Sequence, residues 1–127
     1  MNKNKKKILI VDDEKDFVEM VKWNLEKTGG YKVTVETESK YALDVAKVVE
    51  PDLILLDVMM PGMDGADVEY QIKKEEKLKD IPIIFLTAIV KEEEIESEDG
   101  AIAGHVFLAK PVTLKQLVDC IEKNIKK

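Results

Sequence analysis

Five positions in this 127-residue chain could do chemistry together. Two adjacent carboxylates, Asp12 and Asp13, follow the apolar run Ile8-Leu9-Ile10-Val11. A third, Asp57, closes the run Leu53-Ile54-Leu55-Leu56. A hydroxyl, Thr87, follows Phe85-Leu86, and an ammonium, Lys110, follows Leu108-Ala109. Clustered carboxylates repel one another, and their pKa values rise unless a cation joins them. Oxygen-only ligands suit a hard divalent cation, and Mg²⁺ commonly takes one or two carboxylates while keeping several waters. The single Cys120 and single His105 disfavour soft metals and exclude zinc sites built from several such ligands. A magnesium ion with open positions can bind phosphoryl oxygens. An Asp carboxylate can itself be the nucleophile in phosphoryl transfer, giving an acyl phosphate. Lys110 would then neutralise charge on the equatorial oxygens, Thr87 would donate a hydrogen bond to one of them, and the small Ala88 would leave room.

Each residue alone has a plainer reading. Asp12 and Asp13 could cap a helix, Asp57 could begin a turn, Thr87 could cap a helix, and Lys110 could be a solvated charge. What sets the group apart is its placement, because each member follows an apolar strand-like run. Residues 7–11, 52–57, 82–86 and 105–109 read as strands, and 31–36 alternates as a less buried strand does. Helices are expected over 14–28, 39–50, 64–78 (started by Asp64), 113–126 and, less well formed, 91–99. The helix over 113–126 has Leu114, Leu117, Val118, Ile121 and Ile125 along one face. Continuous apolar strands alternating with helices imply an α/β domain with a parallel sheet covered on both faces. Five (βα) units, with the alternating second strand at an edge, fit the doubly wound, flavodoxin-like order 2-1-3-4-5. In that order the switch point lies between strands one and three, where Asp12, Asp13 and Asp57 would meet.

Composition narrows the class. One domain, 1–127, is expected, with residues 1–6 as a flexible, lysine-rich lead-in. The lead-in is followed by too short an apolar run for a signal peptide, and no run is long enough to cross a bilayer, so a cytoplasmic protein without membrane contact is expected. The net charge of −6 and the absence of arginine argue against direct nucleic-acid binding by this domain. A single cysteine excludes an internal disulfide. Cys120 reads as a structural thiol, His105 as a strand-edge residue, Met59, Met60 and Met63 as packing around the loop near Asp57, and Trp23 as a rim residue or a partner contact.

The chain resembles the receiver domain of two-component response regulators, the fold of the bacterial chemotaxis regulator. The resemblance runs from Lys7 to Lys126. Its matching pieces are Ile8-Leu-Ile-Val-Asp-Asp-Glu14, Pro51-Asp-Leu-Ile-Leu-Leu-Asp57, Met60-Pro-Gly-Met-Asp-Gly65, Pro82-Ile-Ile-Phe-Leu-Thr-Ala88 and Phe107-Leu-Ala-Lys-Pro111. It implies that Asp57 is the phospho-acceptor. It also implies that Asp13, Asp57 and the backbone carbonyl of Met59 ligate Mg²⁺ (Mn²⁺ as a substitute), with Asp12 acting largely through water. Thr87 and Lys110 would contact the phosphoryl group, Phe107 would be the switch aromatic that follows Thr87, and the Lys110–Pro111 peptide would be cis. The donor would be a sensor histidine kinase or a histidine phosphotransfer protein. The output partner would bind the face made by the fourth helix, fifth strand and fifth helix, and a phosphorylation-dependent homodimer is a further expectation. Such a domain is not an enzyme acting on a separate substrate, since it catalyses only its own phosphorylation and dephosphorylation. A stand-alone receiver is expected over one excised from a longer protein.

Two departures and two alternatives stand beside this. The family commonly has Gly-Ala seven and six residues before the lysine, where this chain has Ala103-Gly104. Met59 and Ile89, two residues after Asp57 and Thr87, cannot orient an attacking water, which implies slow self-dephosphorylation. A Mg²⁺-dependent phosphohydrolase of the haloacid-dehalogenase type would want an acid two residues after the nucleophile, where Met59 stands. A non-phosphorylated pseudo-receiver would lack some of the key residues, and all are present.

Overall fold

The structure is a computed structural model that describes residues 4–88, 101–102 and 105–125. The helix expected over 91–99, Ile89, and the Ala103-Gly104 pair lie outside the described residues.

Strands β1 (Lys6–Val11), β3 (Leu53–Asp57) and β4 (Ile83–Thr87) are almost wholly buried, as their unbroken apolar runs require. Strand β2 (Tyr31–Glu36) buries Tyr31 and Val33 and exposes Lys32, the pattern of an edge strand. A two-residue strand, β5 (Ala101–Ile102), precedes β6 (His105–Ala109). Sheet order is β2-β1-β3-β4-β6-β5. The five longer strands are parallel and follow the expected 2-1-3-4-5 order. The antiparallel β5 is an addition to the expected five-stranded sheet, because two residues carry no readable period.

Alternation along the strands divides the core in two. Ile8, Ile10, Leu53, Leu55, Ile84 and Leu86 face helices α1 (Lys15–Lys27) and α4 (Leu114–Asn124). Leu9, Val11, Ile54, Leu56 and Phe85 face α2 (Ala42–Val49) and α3 (Gly65–Lys73). Burying both faces fixes register, since a one-residue slip would exchange the two cores.

Helix ends follow local chemistry. Asp64 caps α3: its Oδ1 accepts from the Asp67 N–H at 3.0 Å, and Asp67 Oδ2 accepts from the Asp64 N–H at 3.3 Å. Thr113 and Gln116 make the same reciprocal pair at α4. Helix α2 follows a tight turn at 39–41 and stops at Glu50, which takes a left-handed conformation (φ 49°) before Pro51. Helix α3 is shorter than the expected 64–78. After Ile72 the charged run from Lys73 to Lys77 offers nothing to the core, and successive turns then return Leu78 to it. Strand β1 begins at Lys6, inside the stretch read as a lead-in, because Lys6 N–H donates to the Gly30 carbonyl and its Nζ lies 2.6 Å from Glu122 Oε1.

Candidate functional site

All five singled-out residues stand at the carboxyl edge of the sheet. Asp12 follows β1, and its N–H donates to the Glu36 carbonyl at 3.1 Å. Asp57 ends β3 opposite Leu86, and Thr87 ends β4 opposite Ala109. The Lys110 N–H donates to the Thr87 carbonyl at 2.9 Å, prolonging the ladder to the rim. The Lys110–Pro111 peptide is cis. Asp12, Asp57 and Thr87 are buried, whereas Asp13 is exposed.

Lys110 is the hub. Its Nζ lies 2.7 Å from Asp12 Oδ2, 2.7 Å from Glu14 Oε1 and 3.8 Å from Asp57 Oδ1, and 4.7 Å from the Phe17 ring centroid. Asp12 Oδ1 accepts from the Glu14 N–H at 2.9 Å. Asp12 Oδ2 has the ammonium contact but no directed hydrogen bond, although the residue is fully buried. Three carboxylates, those of Asp12, Glu14 and Asp57, therefore share one ammonium at this edge.

The electrostatics follow from that imbalance. Burial, and next the Asp12 charge, push Asp57 up to about 6, against the opposing pull of Lys110 and a hydrogen bond from the Met59 N–H. Burial likewise raises Asp12, although Lys110 and the Glu14 N–H oppose the shift. For Lys110 burial acts downward, but its carboxylate partners outweigh it and the ammonium is held above its ordinary value.

A cation fits this deficit. Asp12, Asp13 and Asp57 can each offer one carboxylate oxygen, all within 4.8 Å of one another. The donor set is oxygen only, which suits a hard divalent ion. The poorly partnered buried Oδ2 of Asp12 is where added positive charge would relieve most.

The floor under Asp57 is close-packed. Gly65, which opens α3, donates its N–H to the Val58 carbonyl at 2.9 Å. A Cβ there would meet the Asp57 carbonyl oxygen at 2.5 Å, Val58 Cα at 3.1 Å and Phe85 Cε1 at 3.2 Å. Gly65→Ala is expected to cost about 3 kcal/mol or more, the upper end of overpacking, because backbone atoms cannot step aside as a flexible side chain would, and to move the backbone amide resonances of residues 57–58. A urea melt and an amide spectrum coinciding with wild type would contradict this.

Phe107 is partly buried and stacks on Phe85, with centroids 5.5 Å apart and ring planes at 29°. His105 is exposed at the start of β6, edge-on to Phe85 and 3.3 Å from Glu69. Met59 and Trp23 are largely exposed, Trp23 beside Lys27. Met60 and Met63 are partly buried against the α2–α3 core. Cys120 is a half-buried free thiol that burial pushes up to about 11, well away from a reactive thiolate.

A model of the response regulator receiver domain matches residues 8–122. The chain belongs to the response regulator receiver family. Among solved structures, the receiver domain is similar to chemotaxis protein CheY4 of Vibrio cholerae, at 28% identity over 94% of this chain and 98% of that one, with a TM-score of 0.79. It also resembles the N-terminal domain of a response regulator receiver protein from Methanoculleus marisnigri. There the identity is 34%, over 93% of this chain and 94% of that one, and the TM-score is 0.68. The signal receiver domain of a histidine kinase from Syntrophus aciditrophicus matches at 32% identity over 93% and 88%, with a TM-score of 0.74. Within this receiver domain, the contacts of Glu14 and Phe17 with Lys110 are features that sequence reasoning missed. The only signal for Glu14 is its place beside the acidic pair.

Proposed function

We propose that the domain takes a phosphoryl group on Asp57 from a phosphohistidine of a sensor kinase or phosphotransfer protein and signals through the change that follows. The observation that carries this is Asp57 itself. It is a buried carboxylate at the end of a central strand, within reach of Asp12 and Asp13 on one side and Lys110 on the other. An Asp57 carboxylate oxygen attacks phosphorus and forms the acyl phosphate bond. The phosphorus–nitrogen bond of the donor breaks, its electron pair stays on the imidazole nitrogen, and that nitrogen takes up a proton from water. Lys110 and Thr87 hold the transferred oxygens. Asp12, Asp13, Asp57 and the Met59 carbonyl would hold Mg²⁺ (or Mn²⁺), which when bound supplies charge neutralisation to the phosphoryl oxygens. By this reading the domain turns over no separate substrate.

Receiver domains of this family act with histidine kinases and output partners. In this chain Thr87 would move toward the new acceptor oxygens. Phe107, now stacked on Phe85, would follow into the space left behind. The surface that changes is β6 and α4; the helix expected over 91–99 lies outside the described residues. An output partner, or a second phosphorylated copy, would read that face. Among the described residues no helix is long and apolar enough to cross a membrane, and the cytoplasm is the compartment the phosphohistidine donor implies.

The test is intact mass after acetyl phosphate treatment. Wild type with Mg²⁺ gains one phosphoryl group; chelation or Asp57→Ala abolishes the gain. Equal phosphorylation of the variant would defeat the assignment. The exposed Met59 cannot orient an attacking water. Met59→Asn is therefore expected to shorten the phosphorylated lifetime severalfold, well below the about 10²–10⁴-fold of a full acid–base group, because an amide only orients the water. An unchanged or longer lifetime would count against this.

A further inference from the structure

Glu14 occupies the N-cap position of α1 but does not cap it. Its backbone is extended there (φ −86°, ψ 99°), and its side chain makes no capping hydrogen bond. The carboxylate reaches instead across the rim to Lys110, 96 residues away in sequence, at 2.7 Å. Lys110 has three N–H donors. One side of the ammonium faces the Phe17 ring, and its short contacts go to Asp12 and Glu14. Asp57 Oδ1 is left at 3.8 Å, beyond hydrogen-bond distance. Asp12 is fully buried and cannot let go cheaply, whereas the Glu14 side chain is 61% exposed and can pass into water.

We infer that Glu14 is a positioning residue that holds Lys110 away from Asp57 and must release it before the ammonium can bind a phosphoryl group there. This rests on the reading of Asp57 as acceptor and adds a competing anion that tunes the reaction. A phosphoryl oxygen that takes the donor now held by Glu14 displaces it, so the pair weakens the phosphorylated state and slows its formation. Because the pair is half in water, its effect is modest and is screened by salt.

Three forms of the full chain distinguish contact from charge. Glu14→Gln removes the anion. Glu14→Asp keeps the charge but is one methylene shorter and loses its reach to Lys110. Neither disturbs a helix cap, since the wild-type side chain makes none. Beryllofluoride affinity in Mg²⁺ is measured by calorimetry, and the acetyl phosphate rate by intact mass. Glu14→Gln is expected to bind beryllofluoride about 3-fold tighter and to react about 3-fold faster, the size of an exposed ion pair. Glu14→Asp is expected to move both in the same direction by a smaller factor, and both gains should shrink as salt is raised. In metal-free protein, the Lys110 side-chain resonances should shift in both variants, a readout independent of phosphorylation. If Glu14→Asp equals wild type while Glu14→Gln accelerates, general charge rather than the contact is responsible and the inference is overturned. If both variants equal wild type, it is overturned as well. A wild type that binds no beryllofluoride and gains no phosphate defeats the underlying reading of Asp57 instead.

Discussion

Lys110→Met is expected to cost the metal-free protein about 3–5 kcal/mol near pH 7, the scale for stripping a buried ion pair of one partner. The ammonium lies 2.7 Å from the fully buried Asp12 and 3.8 Å from Asp57. Without it, both carboxylates are pushed further upward than they already are. Their folded pKa values then stand far above the unfolded ones, so the folded state binds protons more readily. The penalty should be full at neutral pH and fade as the pH falls toward the ordinary carboxylate range. Divalent cation should also restore part of the loss. Denaturant melts at two pH values, with and without Mg²⁺, read all of this. A loss below about 1 kcal/mol, the size of a surface pair, or one equal at acid and neutral pH, would contradict the account.

Asp57→Asn should act in the opposite sense. The folded-state value of about 6 lies above the ordinary aspartate value of 3.8. The group's stabilising contribution is thus complete below about pH 4 and is lost as the pH rises through about 6. Above that window the ionised Asp57 costs the metal-free protein roughly 2–3 kcal/mol, at about 1.4 kcal/mol per pKa unit. A neutral amide removes that cost, so the variant should melt higher than wild type near pH 7.5 in chelator. The gain should vanish near pH 4 and shrink in Mg²⁺. A variant less stable than wild type in chelator near pH 7.5 would show that Asp57 is not under electrostatic stress.

The buried strands were legible because period and burial say the same thing there. Continuous apolar runs at 8–11, 53–56 and 83–86 have both faces covered. The site residues were legible for a related reason. A polar side chain directly after a buried strand must lie on the rim, and the strand order brings those rims together. What escaped depends on less periodic signals. Strand β5 is two residues long. Helix α3 stops where charge replaces apolar residues, although the propensity of Lys73 to Lys77 would allow it to continue. The reach of Glu14 to Lys110 joins residues 96 apart through side-chain conformations that no local pattern encodes.

The central claim is that one carboxylate of the cluster becomes an acyl phosphate, and borohydride trapping reads it most directly. Reduction of the phosphorylated protein converts an aspartyl phosphate to homoserine, which peptide mass spectrometry locates. The account predicts homoserine at residue 57 alone, only when Mg²⁺ and phosphodonor are both present. Homoserine at residue 12 or 13, or at none of the three in protein that carries phosphate, would contradict it.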